Sequence, residues 1–271
     1  MTMIRSLFSK QQVQVQRITS FSTSTTTTTT NVSQHAGFVE MREYTLHPSG
    51  MASFIKLAGA TAALRASLLP FLGMFATDTG STLNRVLHFY HYTDFDQRDA
   101  ARAKAAATLE WTDFISTSRH HVSHQQSSIY LPAVPVLETA SAVPIQTVLN
   151  HQQPRSTTSP PALFELRQYQ LHPGYGSVPK LIEAFSKGIY HKIAAADAQE
   201  QGSLVYFGHS DVGLLNTVIE LWRYPSAAAC IRARQASRKV PEWRETIAEV
   251  TPGVQHFRSQ FLTPLPFSLL Q

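Results

Sequence analysis

The 271-residue sequence contains a single cysteine, Cys230, and no long uninterrupted apolar run. One cysteine excludes an intrachain disulfide and leaves too few thiolates for a cysteine-based zinc site. A transmembrane helix needs roughly 18 or more consecutive apolar residues. Apolar residues nevertheless make up 43% of the chain, which is enough to fill a core. The sequence therefore predicts a globular protein held together by packing, without a transmembrane segment, and soluble or peripherally attached to a membrane.

Acidic residues are absent from the first 39 positions, where Arg5, Lys10 and Arg17 account for +3 of the formal net charge of +5. The rest of the chain is close to neutral. It has no basic stripe interleaved with aromatic residues, which a nucleic-acid surface would require. The charge distribution therefore predicts no nucleic-acid partner.

The N-terminal segment combines amphipathic and low-complexity features. Its apolar residues follow helical spacing, and a Ser/Thr-rich run extends to Thr30. An amphipathic, cationic, acid-free and hydroxyl-rich segment is typical of an organelle transit peptide, whereas a secretory signal has a continuous apolar centre. We predict that residues 1–35 are a mitochondrial presequence with a low-complexity leader, cleaved between Arg17 and Thr30. A plastid leader and a disordered tail are the alternatives. The apolar positions are Ile4, Leu7, Phe8, Val15 and Ile18.

The chain contains a long internal repeat. "EMREYTLHP" begins at Glu40 and "ELRQYQLHP" at Glu165, an offset of 125 positions. At an offset of 132, residues 84–92 match 216–224, and Trp111 matches Trp243. A unit of about 100 residues is too long for a solenoid, so the repeat predicts two tandem domains. We place them at 36–132 and 163–271, joined by a Pro/Ser/Thr-rich linker at 133–162.

Each repeat gives the order strand, helix, strand, strand, helix, strand. The first segment alternates and stops at His-Pro, where proline cannot donate to a strand ladder. Asp94 and Gln97 have the spacing of a capping box at the start of the second helix. The predicted fold is α+β: two ferredoxin-like (split βαβ) units, each with helices on one face of an antiparallel sheet.

Alternation divides the first and third strands of each unit into two faces. We expect the apolar faces to meet the helices, and the polar and aromatic faces of the two units to meet each other and line a barrel lumen. The apolar residues are Val39, Met41, Leu87, Phe89, Phe164, Leu166, Ile219 and Leu221. The candidate lumen and ligand-binding residues are Glu40, Arg42, Tyr44, His88, Tyr90, Glu165, Arg167, Tyr169, Glu220 and Trp222.

Two interpretations of those polar faces stay open. In the first, which sequence alone favours, Glu40 with Arg42 and Glu165 with Arg167 are ion pairs that specify the fold. In the second, an arginine fixes an anionic group in a pocket while His88 or Glu220 moves a proton.

Other sequence signals for chemistry are weak. His120, His121 and His124 lie close together, but solvated loop imidazoles explain them more simply than a metal site does. Cys230 and the two repeated tryptophans are best explained as packed side chains, and catalysis by Cys230 or an interface role for the tryptophans is less favoured. Phosphate loops and HExxH or GxSxG patterns are absent. We therefore predict neither a cofactor nor a resident metal.

The repeated segments "FVEMREYTLHP" and "LFELRQYQLHP", followed by "TVIELWRYPS" and a Trp-containing helix, resemble the NIPSNAP family. "LHFYHY" in the first repeat carries Tyr90 where the second repeat carries tryptophan. The resemblance implies tandem NIPSNAP domains behind a mitochondrial presequence, and a pseudo-dimer of the dimeric α+β barrel type. It also implies roles in mitochondrial organisation, vesicle-related traffic or mitophagy signalling. No catalytic residues are established for the family, so it implies none here.

The leading functional hypothesis is a non-enzymatic interaction or scaffold protein of the mitochondrial matrix or inner membrane. Its partners would be other mitochondrial proteins, and homo-oligomerisation and peripheral membrane association stay open. The alternative, by fold analogy, is a small-molecule or haem-binding barrel with cofactor-independent oxygenase-type activity. A defined cavity whose walls include both Arg42 and Arg167 would favour that alternative.

Overall fold

The computed structural model describes residues 35–150 and 162–271. The predicted presequence and its cleavage site lie outside these ranges, apart from His35. Residues 151–161, within the predicted linker, also lie outside them.

The first half of the fold follows the predicted order of elements. Its strands are β1 (Phe38–Leu46), β2 (Phe71–Thr79), β3 (Arg85–Tyr92) and β4 (Val122–Pro132). Its helices are α1 (Met51–Ala60), α2 (Ala62–Leu68), α3 (Phe95–Ala106) and α4 (Leu109–Arg119). The predicted start of α3 is confirmed, since the Asp94 side chain accepts from the Gln97 amide at 2.7 Å. The Gln97 side chain reaches one residue further back than in a capping box and accepts from the Thr93 amide at 2.7 Å.

The second half repeats this order after two short helices, α5 (Val134–Thr139) and α6 (Ile145–Asn150). Its strands are β5 (Leu163–Leu171), β6 (Ser203–Val212), β7 (Thr217–Tyr224) and β8 (Val254–Pro264), and its helices are α7 (Ser177–Ala194), α8 (Ala227–Ser237) and α9 (Pro241–Val250). Both first strands end immediately before a His-Pro step, at Leu46 and Leu171, as predicted.

The eight strands of the described chain form one closed barrel in the order β1-β3-β2-β8-β5-β7-β6-β4, with every pairing antiparallel. The predicted α+β class and barrel are confirmed. Strands β2 and β8 pair, as do β4 and β6, so the two halves share one continuous sheet. Closure removes the free strand edges that two separate sheets would expose.

The predicted orientation of the strand faces is wrong. The apolar faces of both halves meet inside the barrel, where Phe75 of β2 and Phe164 of β5 pack with ring centroids 4.9 Å apart. An eight-stranded barrel has an interior just wide enough for side chains to fill, so the lumen is a packed, mainly apolar core. All eight apolar residues expected to meet the helices belong to this lumen cluster: Val39, Met41, Leu87, Phe89, Phe164, Leu166, Ile219 and Leu221.

The polar and aromatic faces therefore lie outside the barrel, beneath the helices. Tyr90 and Trp111 share an apolar cluster between the first-half sheet and helices α1–α4. Trp222 and Trp243 share the equivalent cluster beneath α7–α9. Both repeated tryptophans are buried, which confirms their packing role.

The seam between β4 and β6 depends on a glycine. A Cβ at Gly208 would lie 2.6 Å from the carbonyl oxygen of Leu131, so only glycine permits this approach. Across the same seam, the Tyr206 hydroxyl donates to the Tyr130 carbonyl at 2.7 Å. These contacts join the two halves on the side opposite the β2–β8 pairing.

Part of the segment between the halves packs against the barrel. Val136 and Leu137 of α5 are buried in the second-half cluster, and Ile145 of α6 is buried in the lumen cluster. Within the described ranges, no helix has the combination of length and apolar character needed to cross a membrane.

Candidate functional site

Strand β1 places Glu40 beneath α3, where it is fully buried. Oε1 accepts from Arg42 Nε and Ser127 Oγ, each at 2.8 Å, and Oε2 accepts from Arg98 Nε at 2.8 Å. Arg102 Nη1 lies 3.4 Å from Oε1. One buried carboxylate thus joins β1, β4 and α3.

The arginines around Glu40 keep it ionised. Burial alone would raise the pKa of the carboxyl group, but Arg42 and the hydrogen bonds from Arg98 and Ser127 outweigh burial, and the pKa is lowered. Glu40 is therefore an anion at neutral pH, held by three guanidinium groups.

The second half contains a related cluster around buried Glu165. Oε1 accepts from Arg234 of α8 and, at 2.9 Å, from Ser259 of β8. Arg167 Nε lies 3.5 Å from Oε1, and Cys230 Sγ lies 3.4 Å from Oε2. At the offset of 132, Arg102 matches Arg234, but Arg98 matches Cys230. The second half therefore has a thiol at the position where the first half has an arginine.

A second buried carboxylate, Glu220 of β7, has no counterpart in the first half. Oε2 accepts from Trp222 Nε1 at 2.5 Å and from Lys192 Nζ at 3.2 Å, while Oε1 accepts from the Tyr169 hydroxyl at 2.5 Å. Burial lowers the pKa of Lys192 to about 8, although Glu220 acts in the opposite direction. Lys192 also lies 3.7 Å from the centre of the Trp222 ring. This arrangement is a closed, buried ion pair.

His88 occupies the Glu220 position in the first half. The strand registers agree, since His88 pairs with Arg42 and Glu220 pairs with Arg167. Burial, assisted by Arg65 and Arg42, lowers the pKa of His88 well below its ordinary value, so the imidazole is neutral. A carboxylate in the second half thus corresponds to an uncharged ring in the first.

Arg65 of α2 is the buried cation beside His88, with 2% of its surface exposed. Its Nη1 donates to the Tyr90 hydroxyl at 2.8 Å and lies 3.5 Å from His88 Nδ1. The guanidinium also lies 5.1 Å from the Trp111 ring centre and 5.3 Å from that of Phe114. Across the described ranges, no aspartate or glutamate forms an ion pair with Arg65.

A cavity of about 450 Å³ opens between the sheet and helices of the first half, and Arg65 lines it. Its walls combine cations, hydroxyls and apolar rings, which can bind an anion and an apolar body together. We call it the first-half cavity. Its main lining residues are Arg42, Arg65, Arg102, Arg119, Tyr44, Tyr90, Trp111 and Phe114.

A cavity of about 440 Å³ occupies the corresponding place in the second half. Arg167, Arg234 and Arg238 line it together with Trp243 and Phe257. The Arg167 guanidinium lies 4.7 Å from the Phe257 ring centre. We call it the second-half cavity.

The ten predicted site residues form two groups, one per half, rather than one lumen. Glu40, Arg42, Tyr44, His88 and Tyr90 lie around the first-half cavity or directly behind it, and the matching five residues lie in the second half. The barrel wall separates the groups, because side chains that alternate to the outside of a closed sheet cannot meet through its core.

Sequence reasoning missed the cations that the helices contribute. Arg98 and Arg102 are four residues apart on α3, so they share the helix face that covers Glu40. The match of Arg102 with Arg234 at the offset of 132 was a usable signal. Arg65 and Lys192 belong to no sequence motif, since both lie in apolar helix faces.

Cys230 is a buried free thiol, as the packing interpretation predicted. Burial raises the pKa of Cys230 to about 12, and neighbouring Glu165 adds to this effect. A thiol with so high a pKa is a poor nucleophile at neutral pH. In the described ranges, no group of three or more His, Cys, Asp and Glu side chains could hold a metal ion.

The family model and the curated relatives agree on one family. The NIPSNAP family model matches residues 39–135 and 164–269. A NipSnap homologue of Dictyostelium discoideum is 25% identical over 250 residues, covering 92% of this chain and 95% of that protein. Human NipSnap homologue 3A is 27% identical over 239 residues, covering 86% of each. In structure, a candidate monooxygenase from Fusobacterium nucleatum superposes with a TM-score of 0.57 at 12% identity, over 85% of this chain and 94% of that one.

Proposed function

This chain belongs to the NIPSNAP family, and we propose that it is a small-molecule-binding protein whose first-half cavity holds an anionic organic compound. The observation that carries the proposal is the environment of Arg65. It is a buried guanidinium that lines a cavity and pairs with no carboxylate of the described chain.

A buried charge without a counter-ion is costly, because the protein interior replaces little of the hydration that the charge loses. Hydrogen bonding to Tyr90 and the nearby aromatic rings offset part of that cost for Arg65. An anion in the cavity would offset more, since it would be attracted within a medium of low polarity. The arrangement therefore favours binding of an anion from solution.

The walls of the first-half cavity indicate what the rest of the compound is like. Leu69, Trp111, Phe114 and Ile115 supply apolar surface, and the volume lies within the range of small-molecule pockets, roughly 300–1,000 Å³. We therefore expect an aromatic or aliphatic body attached to the acidic group.

No reaction is included in this proposal. The likeness to the Fusobacterium protein is one of fold, at 12% identity, and folds host many unrelated chemistries. Burial lowers the pKa of His88, the candidate proton carrier, well below its ordinary value, and its Nδ1 is directed to Tyr90 and Arg65. Binding alone accounts for the arrangement of the site.

The test is a titration of the purified chain with organic anions such as benzoate, phenylacetate and octanoate, followed by calorimetry and thermal melting. We expect binding and a raised melting temperature for the wild type, and loss of both effects in Arg65→Met. Arg232→Met removes an exposed arginine of α8 and should bind like the wild type. Absence of binding to every probe, or equal binding by Arg65→Met, would overturn the proposal.

A protein-interaction role is the second candidate, favoured by exposed apolar side chains at one end of the barrel. Val212, Leu214 and Leu215 are exposed around the β6–β7 turn, and Tyr175 is exposed on the loop after β5. Asn216 Nδ2 donates to the carbonyls of His172 and Gly174, which brings the two loops together. Leu214→Ser and Leu215→Ser should then reduce the proteins recovered with the chain from mitochondria, whereas anion binding should be unaffected.

The mitochondrial location, in the matrix or at the inner membrane, is a further part of the proposal. It is supported by the acid-free, cationic and hydroxyl-rich composition of residues 1–35. Each barrel half is in turn proposed to be one split βαβ unit of a duplicated gene, as the strand order in each half suggests. N-terminal sequencing of the protein recovered from mitochondria tests the location. A mature chain that starts at Met1 or Thr2 would contradict cleavage of a presequence.

A further inference from the structure

The two halves hold the same kind of polar cluster at the same place, but only one cluster contains its own carboxylate. In the second half three donors converge on Glu220: a cation from the first long helix, a hydroxyl from the first strand and a ring donor from the third strand. In the first half, Arg65 of α2 and the Tyr90 hydroxyl reach His88 Nδ1, and the Tyr44 ring packs edge-on against the imidazole with ring centroids 4.5 Å apart. The corresponding donors are Lys192 and Arg65, Tyr169 and Tyr44, and Trp222 and Tyr90.

The first half has His88 where the second half has Glu220. This difference changes the charge of the cluster but leaves the surrounding donors in place. Lys192 is balanced by Glu220 at 3.2 Å. Arg65 faces a neutral imidazole, which accepts a hydrogen bond but cannot balance a cation. The second-half cluster is therefore internally neutral, whereas the first-half cluster has one positive charge in excess at Arg65.

Access to the two clusters also differs. Arg65, Tyr44 and Tyr90 all line the first-half cavity. The second-half cavity is lined by Tyr169 but by neither Lys192 nor Trp222. Those two residues instead border a space of only about 10 Å³, too small for an organic compound. All three donors thus line a ligand-sized cavity in the first half, whereas in the second half only Tyr169 does.

We infer that the compound bound by the first half carries a carboxylate, which Arg65, Tyr44 and Tyr90 hold as Lys192, Tyr169 and Trp222 hold Glu220. This inference rests on the proposed function and specifies its acidic group. In the second half, the carboxylate of Glu220 thus has the role that the ligand carboxylate has beside Arg65 in the first half.

A carboxylate fits this cluster better than a phosphate. The Glu220 cluster gives one donor to Oε1 and two to Oε2, which satisfies a planar group with two oxygens and a single negative charge. Arg65 likewise brings a single charge that is not balanced within the described chain. A phosphate or phosphonate would bring a third oxygen and up to a second negative charge, for which the Glu220 cluster has no equivalent.

Three probes with one ring and different head groups test the inference in calorimetry on the full chain: phenylacetate, phenylacetamide and benzylphosphonate. We expect phenylacetate to bind with one site per chain. Both of the other probes should bind at least about tenfold more weakly, because each lacks the charge or the shape that the donors match.

Variants test the position of the carboxylate. His88→Glu recreates the second-half arrangement, so its own carboxylate should pair with Arg65 and abolish phenylacetate binding without lowering the melting temperature. His256→Glu makes the same change of charge on exposed β8 and should bind like the wild type. If His88→Glu does not fold, Tyr44→Phe removes a single hydroxyl and should weaken phenylacetate about tenfold while phenylacetamide is unaffected.

The possible failures are distinguishable. If benzylphosphonate binds as tightly as phenylacetate and still requires Arg65, the inference is wrong but the proposed function stands. If a folded His88→Glu binds phenylacetate normally, the assigned position is wrong. If no anion binds the wild type, the proposed function fails and the inference fails with it.

Discussion

Arg98 Nε lies 2.8 Å from Glu40 Oε2, joining α3 to β1 across 58 positions of sequence. The same carboxylate also receives Arg42 from its own strand and Ser127 from β4. Glu40 therefore connects the sheet to its covering helix. Its negative charge compensates the positive charges of the arginines around it.

The first prediction concerns removal of that charge. Glu40→Gln should lower the free energy of unfolding by about 3 kcal/mol, because it leaves several guanidinium groups beside a neutral amide in a largely buried site. Urea unfolding followed by circular dichroism measures the change.

A surface pair provides the control for Glu40→Gln. Glu183 pairs with Lys187 at 2.7 Å on the exposed face of α7, where water screens the interaction. Glu183→Gln should leave the urea midpoint unchanged. Equal midpoints for Glu40→Gln and the wild type would show that the buried cluster does not stabilise the fold.

The second prediction concerns acid sensitivity through His88. Its pKa is lowered well below the ordinary value of 6.5 in the folded protein, so below pH 6.5 the unfolded chain takes up a proton that the native chain does not. The stability contributed by His88 is thus fully present above pH 6.5 and is lost as pH falls, by up to about 1.4 kcal/mol per pH unit.

His88→Gln removes this contribution, because glutamine does not titrate. Between pH 6.5 and 5, the unfolding free energy of the wild type should therefore fall more steeply than that of the variant. Burial also lowers the pKa values of His91 and His209. Both proteins retain these two histidines, so their contributions cancel in the comparison. Parallel pH profiles would mean that His88 is not held neutral in the folded state.

The third prediction concerns the packing of α7 on α9. A Cβ at Gly188 would lie only 1.9 Å from Thr246 Oγ1 and 2.7 Å from Thr246 Cβ, so the helices could not keep their approach. Gly188→Ala should destabilise the protein by about 1–2 kcal/mol, since overpacking outweighs the gain in helix propensity.

A second helical glycine serves as the matched control. A Cβ at Gly59 of α1 would be 3.6 Å from Phe267, an ordinary contact. Gly59→Ala should raise the unfolding free energy by about 0.5–1 kcal/mol, because alanine is the better helix former. The change in unfolding free energy relative to the wild type, measured by thermal and urea unfolding, should thus have opposite signs in the two variants. The same sign for both would contradict the helix packing described for Gly188.

Much of the fold could be predicted from local signals. The alternation in "EMREYTLHP" indicated a strand, His-Pro indicated its end, and Asp94 with Gln97 indicated the start of α3. The duplication indicated two halves and aligned Glu40 with Glu165. These features depend on neighbouring residues or on comparison of the chain with itself, so they are readable without tertiary contacts.

The candidate site was predicted only in part, since its strand residues were identified but not its helix residues. Arg42 and Arg167 were recognised on their strands, whereas Arg65, Arg98 and Lys192 were not. A cation on a helix surface usually faces water. Only the packing of each helix on the sheet shows which cations are buried against a carboxylate or an imidazole.

By itself, the sequence determined the two-faced strands, their order in each half and the pairing of positions between the halves. The tertiary structure decided which face points inward. Alternation separates apolar from polar residues but does not say which set faces the lumen. Closure of eight strands places the apolar set there, because the interior of such a barrel is only wide enough for packed side chains. Closure placed Val39 and Phe164 inside and Glu40 beneath the helices. Tertiary packing also brought Arg65 to His88, where the second half has a glutamate.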